Sequence, residues 1–249
     1  VFFYRVGKQI GVDRLAWYAT ACGLGTETGI DLGYEAEGLV PTAAWKRKRT
    51  GVPWQAGETL SVAIGQGYNL VTPLQMAVLM AAVANGGEVF APRIMQSIQT
   101  VEGDIVTRQN AKVRARLPAG KQTLGIIQKG LRKVVNDIHG TAYGHVRSDQ
   151  VQICGKTGTA QVVSRKKGEK PQERDAEGVK RKHLPHAWFI GYAPADDPEI
   201  AVSVLIEHGK HGSSGAGPIA KQIIIAYLSQ LGHITVEKPD SDQKSPRGE

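Results

Sequence analysis

The residues with the clearest chemical potential in this 249-residue chain are Lys156-Thr157-Gly158-Thr159. They lie in a strand-like run over residues 151–163, with Cys154-Gly155 leading in and Ala160-Gln161 following. On one strand, such a set suits acyl transfer on a peptide. Lys156 supplies a fixed cation near a substrate carboxylate or a nucleophilic serine, and Thr157 offers that carboxylate a hydroxyl. Gly158 has no side chain, so an extended peptide can approach the strand closely. The backbone N–H of Thr159 can face a developing oxyanion. Three residues are a small signal, however, and a glycine-marked strand with one exposed lysine would read the same way.

A strand of this kind needs neighbours to hold it. Residues 186–192 and 200–206 read as two further strands, joined by the turn Pro194-Ala195-Asp196-Asp197-Pro198. A last apolar helix is expected over about 218–231. From residue 151 the order is therefore strand, long loop, strand, tight turn, strand, helix. That is an antiparallel sheet packed with helices, an α+β fold.

Upstream, Thr72-Pro73-Leu74-Gln75 combines an N-cap, a proline at N1 and a capping-box glutamine. The helix they start is apolar nearly all round, which predicts deep burial, and it ends at Asn85-Gly86-Gly87. Leu124, Ile127, Leu131, Val134, Val135 and Ile138 recur at helical steps, so a second helix is expected over about 121–138, closed by His139-Gly140. Residues 88–112 read as short strands and turns around Pro92. Residues 1–70 are rich in glycine and turn signals, with apolar patches such as Val1-Phe2-Phe3-Tyr4-Arg5-Val6 and a short helix around Leu15-Ala16-Trp17-Tyr18 ending near Gly23.

Hydrophobic content of 41% with 22% charged residues places the chain among globular proteins. No apolar run reaches the length of about 18 residues that a membrane helix needs. A net charge of +8 invites a nucleic-acid reading, so its location matters. The excess concentrates in residues 164–182, with a second cluster at Lys46-Arg47-Lys48-Arg49. Neither is interleaved with aromatics as a single-strand binder requires. Both predict solvated loops, and nucleic acid is not an expected partner. Cys22 and Cys154 fit no metal or redox spacing and predict free, buried thiols. The histidines include no His-x-x-x-His pair, so neither a metal nor a cofactor is expected.

Lys-Thr-Gly on a strand is also the third motif of serine β-lactamases and penicillin-binding proteins. Other stretches extend the likeness: Thr28-Gly29-Ile30-Asp31-Leu32, Trp54 with Gly57-Glu58-Thr59, Ile64-Gly65-Gln66-Gly67 and Thr72-Pro73-Leu74-Gln75-Met76-Ala77. Gly140-Thr141-Ala142 and Trp188-Phe189-Ile190-Gly191-Tyr192-Ala193-Pro194 complete the series, in family order. Over roughly residues 1–231 the chain resembles the penicillin-binding protein 2 branch of the class B transpeptidases, which elongate the bacterial wall.

The resemblance implies a β-lactamase/transpeptidase-like fold and an acyl-serine mechanism. The serine of a Ser-x-x-Lys motif attacks the D-alanyl-D-alanine end of a peptidoglycan stem peptide, aided by a Ser-x-Asn or Ser-x-Asp motif. An amine on a neighbouring stem peptide then takes the acyl group. Lys156, Thr157, Gly158 and Thr159 inherit the catalytic-strand roles, and Gln161 joins Lys156, Thr157 and Thr159 in substrate binding. Implied partners are stem peptides, β-lactams and wall-elongation membrane proteins. The implied location is the periplasmic face of the cytoplasmic membrane, held by an N-terminal anchor. Residues 1–236 would be the C-terminal portion of the transpeptidase domain and 237–249 a disordered tail.

The chain departs from the pattern in two motifs. Its Ser-x-x-Lys strings, Ser164 to Lys167 and Ser241 to Lys244, both follow Lys156, whereas the nucleophile should begin a buried helix upstream of it. No Ser-x-Asn or Ser-x-Asp occurs. In similar proteins that second motif stands just before an aromatic run like Phe2-Phe3-Tyr4. The chain begins with Val1 and is therefore expected to be a fragment, with the nucleophile helix and N-terminal strands before it. Such a fragment should not acylate alone and should expose apolar faces and a sheet edge. Two other readings compete. One is a non-catalytic module that binds peptidoglycan peptides or wall-synthesis partners. The other is a serine β-lactamase, against which Trp54 and Ile64-Gly65-Gln66-Gly67 argue.

Overall fold

The computed structural model describes residues 1–161 and 184–234. Four helices come first: α1 (Phe2–Ile10), α2 (Val12–Ala21), α3 (Ala43–Thr50) and α4 (Ala56–Val62). Helix α5 (Pro73–Ala84) leads into the short strands β1 (Glu88–Phe90), β2 (Ser97–Gln99), β3 (Ile105–Arg108) and β4 (Val113–Arg116). After α6 (Lys121–Asn136) and α7 (Tyr143–Val146) come β5 (Cys154–Ala160), β6 (His186–Ala193) and β7 (Ile200–Ile206). A π-helical turn at Gly212–Ala216 then feeds α8 (Gly217–Gln230).

β5, β6 and β7 form one antiparallel sheet in that order, and the two-residue period of a strand decides what covers each face. Ala187, Phe189 and Ala193 of β6, with Val202 and Val204 of β7, point to one side. There they meet Ala220, Ile224 and Leu228, which recur every four residues along α8, together with Val135, Val146 and Ile153. The alternate positions Tyr192, Ile190 and Ala201 point the other way and pack with Met80 of α5. The strand that carries Lys156-Thr157-Gly158 is thus part of a sheet held between α8 and α5. The expected α+β architecture is present, with β1–β4 and β2–β3 as separate two-stranded ribbons.

Helix α5 starts as its sequence dictates. The Thr72 hydroxyl accepts from the Gln75 N–H at 3.1 Å, and the Gln75 side chain accepts from the Thr72 N–H at 3.1 Å. Every α5 residue except Pro73 is buried or half-buried. Cys154 is buried, Cys22 is half-buried, and both are free thiols.

Two expectations change. Residues 2–10 form a helix, α1, which packs on α4 with Gly7 directly against Ala63. The Lys46-Arg47-Lys48-Arg49 cluster is no loop. It lies in α3, which is capped by the Thr42 hydroxyl and ended by Gly51 in the left-handed region. Lys46 is buried, with Nζ 2.6 Å from Glu58 Oε1 and donating to the Pro53 carbonyl at 3.1 Å. Arg47, Lys48 and Arg49 stay exposed in the last turn, where the helix carbonyls favour cations. The basic stretch 164–182, both Ser-x-x-Lys strings and the 237–249 tail lie outside the described residues.

Candidate active site

Among the described residues β5 pairs only with β6, so its outer edge is open. The register sets Lys156 opposite Ile190, Thr157 opposite Phe189, Gly158 opposite Trp188 and Thr159 opposite Ala187. Phe189 is fully buried, so the strand carrying the motif is anchored through its neighbour to the core.

Lys156 and Thr159 are exposed, whereas Thr157 and Gly158 are half-buried. Lys156 Nζ lies 2.6 Å from the Thr157 carbonyl oxygen and 3.4 Å from Thr157 Oγ1. Although the residue is exposed overall, burial around its ammonium lowers the pKa from the ordinary lysine value. Thr157 Oγ1 in turn lies 3.1 Å from Thr141 Oγ1. One cation and two hydroxyls therefore stand together at the open edge. That array suits an anionic group with several acceptor lone pairs, such as a carboxylate.

Thr141 reaches the strand because the chain turns sharply after α6. The Gly140 N–H donates to the Asp137 carbonyl at 2.7 Å, and the Ala142 N–H to the Val134 carbonyl at 3.0 Å. Ala142 and Val146, both fully buried, pin the chain on the far side of the turn.

A second side chain arrives from far away. Gln66 Nε2 donates to the Thr159 carbonyl at 3.1 Å. Gln66 sits between Gly65 and Gly67, both at φ 74, a conformation that glycine adopts without strain. The Gln66 N–H donates to the Ser61 carbonyl at 2.9 Å, and Asn69 Nδ2 donates to the Gln66 carbonyl at 3.3 Å. On the sheet side, the π-helical turn closes over Gly158. A Cβ on Gly212 would lie 2.4 Å from both the Gly158 and Trp188 carbonyl oxygens, so that contact is backbone on backbone and requires glycine.

Of the residues expected from sequence, Lys156, Thr157, Gly158 and Thr159 lie in line on β5, and Gln161 is exposed just beyond its end. Thr141 and Gln66 are additions. Both belong to the family-like stretches Gly140-Thr141-Ala142 and Ile64-Gly65-Gln66-Gly67, but no local spacing rule ties either of them to Thr157 or Thr159. The site is an open edge rather than a hole. A cavity lined by Thr20, Thr26, Thr28, Val78 and Arg114 lies elsewhere, beside α2 and α5. Among the described residues no cluster of three His, Cys, Asp or Glu side chains could hold a metal. The serine expected to precede the motif has no candidate: no serine before Lys156 is followed three residues later by lysine.

The sequence model described as "Penicillin binding protein transpeptidase domain" matches residues 1–225. The chain is 36% identical to the peptidoglycan D,D-transpeptidase MrdA of Haemophilus influenzae, over 92% of this chain and 35% of the relative. It is 37% identical to MrdA of Acinetobacter baumannii, over 91% of this chain and 33% of the relative. It thus spans about a third of the length of these curated relatives. Among solved structures, it is similar to PBP2 of Helicobacter pylori in complex with MreC, at 30% identity and a TM-score of 0.73, covering 94% of this chain and 38% of that one. Pseudomonas aeruginosa PBP2 in complex with WCK 5153 is similar at 34% identity and the same TM-score of 0.73, over 91% of this chain and 46% of that one. With a family match over nearly its whole length and a Lys-Thr-Gly strand on an open sheet edge, the chain belongs to the penicillin-binding-protein transpeptidase domain family and resembles its PBP2/MrdA branch.

Proposed function

We propose that residues 1–236 are the C-terminal portion of a peptidoglycan D,D-transpeptidase domain and provide its substrate-binding strand. The observation that carries this reading is the open edge of β5, where the Lys156 ammonium and the Thr157 and Thr141 hydroxyls converge. A stem peptide ending in D-alanyl-D-alanine lies along that edge. Its terminal carboxylate meets the three donors, and charge-assisted hydrogen bonds hold it. The Thr159 N–H faces the carbonyl that is attacked and stabilises its negative charge as the tetrahedral intermediate forms. Gln161 flanks the peptide beyond the strand end.

The nucleophile is a Ser-x-x-Lys serine, which these residues do not supply upstream of Lys156, so the 249-residue chain binds but does not acylate. Its reaction belongs to the full-length gene product, at the periplasmic face of the cytoplasmic membrane and among wall-elongation membrane proteins. Partnership of that kind is supported by the similar Helicobacter pylori PBP2 solved in complex with MreC.

Intact mass after exposure to benzylpenicillin tests the reading. The isolated chain should show no adduct, whereas the full-length product should show a stoichiometric one. In the full-length product, Lys156→Ala should slow acylation by roughly ten- to a hundredfold, the scale of losing one charge-assisted hydrogen bond to the substrate carboxylate. An adduct on the isolated chain would overturn the division of roles. The missing nucleophile favours one other reading, a non-catalytic module that binds stem peptides. It would prevail if the full-length product bound such peptides reversibly and never formed an adduct.

A further inference from the structure

The Gln66 amide is engaged on one side only. Its Nε2 donates to the Thr159 carbonyl, and because a carbonyl can only accept, that bond fixes which end of the side chain is nitrogen. Oε1 is then the free end, and it accepts no hydrogen bond from any described residue. The side chain is also held. Its own backbone is tied to Ser61 and Asn69, within a turn whose two flanking glycines have positive φ.

The N–H and C=O of one strand residue point to the same side. The Thr159 carbonyl points away from β6 to meet Gln66, so the Thr159 N–H lies on the open edge as well. A peptide added antiparallel to that edge would use both groups of Thr159, one as donor and one as acceptor. Gln66 changes the second half of that pair. It covers the Thr159 carbonyl and presents an amide oxygen of the same chemical kind one side chain further out.

We propose that Gln66 is a substrate-contacting residue that relays the β5 edge, with Nε2 anchored on Thr159 and Oε1 accepting an amide N–H of the bound peptide. This inference rests on the transpeptidase reading above and adds a specificity contact to it. The ligand class is a peptide, or a peptide mimic, with a secondary amide N–H next to the carbonyl that is attacked. A mimic without that N–H gains nothing from Gln66.

The test compares acylation of the full-length product by two penicillins, benzylpenicillin with its side-chain amide N–H and penicillanic acid, which bears no nitrogen on the carbon next to the β-lactam carbonyl. In Gln66→Ala, benzylpenicillin should lose about fivefold in second-order acylation rate, the scale of one neutral hydrogen bond. The loss should appear in the binding constant rather than in the limiting acylation rate. The penicillanic acid rate should change less than twofold, and the melting temperature should stay put. Gln66→Glu retains an acceptor but cannot donate to Thr159, so it should lose the benzylpenicillin advantage as Ala does. Equal losses for both penicillins would make Gln66 a mere support for Thr159 and overturn the proposal, as would no loss for either. A wild-type protein that neither penicillin acylates would instead fell the transpeptidase reading, and the relay with it.

Discussion

The sheet region and the N-terminal helices are built by different forces. Between residues 135 and 228, Ile153, Phe189, Ile224 and Leu228 are fully buried in one continuous apolar cluster. Residues 1–72 bury few large apolar side chains and instead enclose Thr28, Lys46 and Thr59. What holds them is a set of directional clasps. The Asp13 carboxylate accepts from the Ala43 N–H at 2.9 Å, and Glu35 accepts from the Thr28 and Gly29 N–H groups at 2.7 and 3.0 Å. Gln75 Nε2 donates to the Thr26 and Glu37 carbonyls, both at 2.8 Å. Packing fixes β5 through the apolar core that its partner strand β6 shares with α8. The turn that brings Gln66 to β5 depends on bonds individually worth about 1 kcal/mol net. The site therefore joins a rigid strand to a side chain delivered by the more fragile region.

The contrast predicts the largest cost in the sheet. Phe189→Ala removes a fully buried ring and should destabilise the fold by about 3–5 kcal/mol in urea denaturation. Because Phe189 pairs with Thr157, the same change should loosen β5 itself. A cost near zero would mean that packing does not dominate there.

Next comes the clasp at Lys46. Lys46→Met strands the Glu58 carboxylate in a partly covered site and should cost about 2 kcal/mol, below the full buried-pair figure because Glu58 keeps some exposure. For Glu58, burial pushes the pKa up, but hydrogen bonds from Lys46 and the Gln55 N–H, with the Lys46 charge, outweigh it and lower the net value. A lowered carboxylate contributes stability that is present above its unfolded pKa, about 4.3, and lost as pH falls through the folded value. Acid should therefore loosen this clasp as pH falls below the ordinary carboxylate value, about 4.3. Emission of Trp45 and Trp54 should report it, since Trp54 lies beside Lys46, and Lys46→Met should flatten the response.

The same divide explains what was legible in the sequence. The Thr72 cap with Gln75, the helical steps from Leu124 to Val135 and the two strands around the Pro194–Pro198 turn all write local periodicity into the chain, and each element formed where it was expected. The N-terminal helices are less regular. In α3 only Lys46 of four successive basic residues turns inward, and composition alone cannot say which one finds Glu58. The motif strand was legible for the first reason and its helpers were hidden for the second. Thr141 meets Thr157 across 16 residues, and Gln66 meets Thr159 across 93, through tertiary contacts that no spacing records.

The smallest effect is expected on the aromatic face of α1 and α2. Trp17 is 59% exposed, and its one ring contact among the described residues is the edge of its neighbour Tyr18. Replacing it with serine removes little that the folded chain buries, so stability should move by less than about 0.5 kcal/mol. Phe2 and Phe3 stand out to solvent in the same way, at 70% and 66% exposure. Exposed apolar surface of this kind favours association even where it adds nothing to folding. Trp17→Ser should therefore change sedimentation at high protein concentration more than it changes the urea midpoint. A midpoint shift comparable to that of Lys46→Met, unchanged on dilution, would instead make this face part of the chain's own core and erase the difference between the two regions.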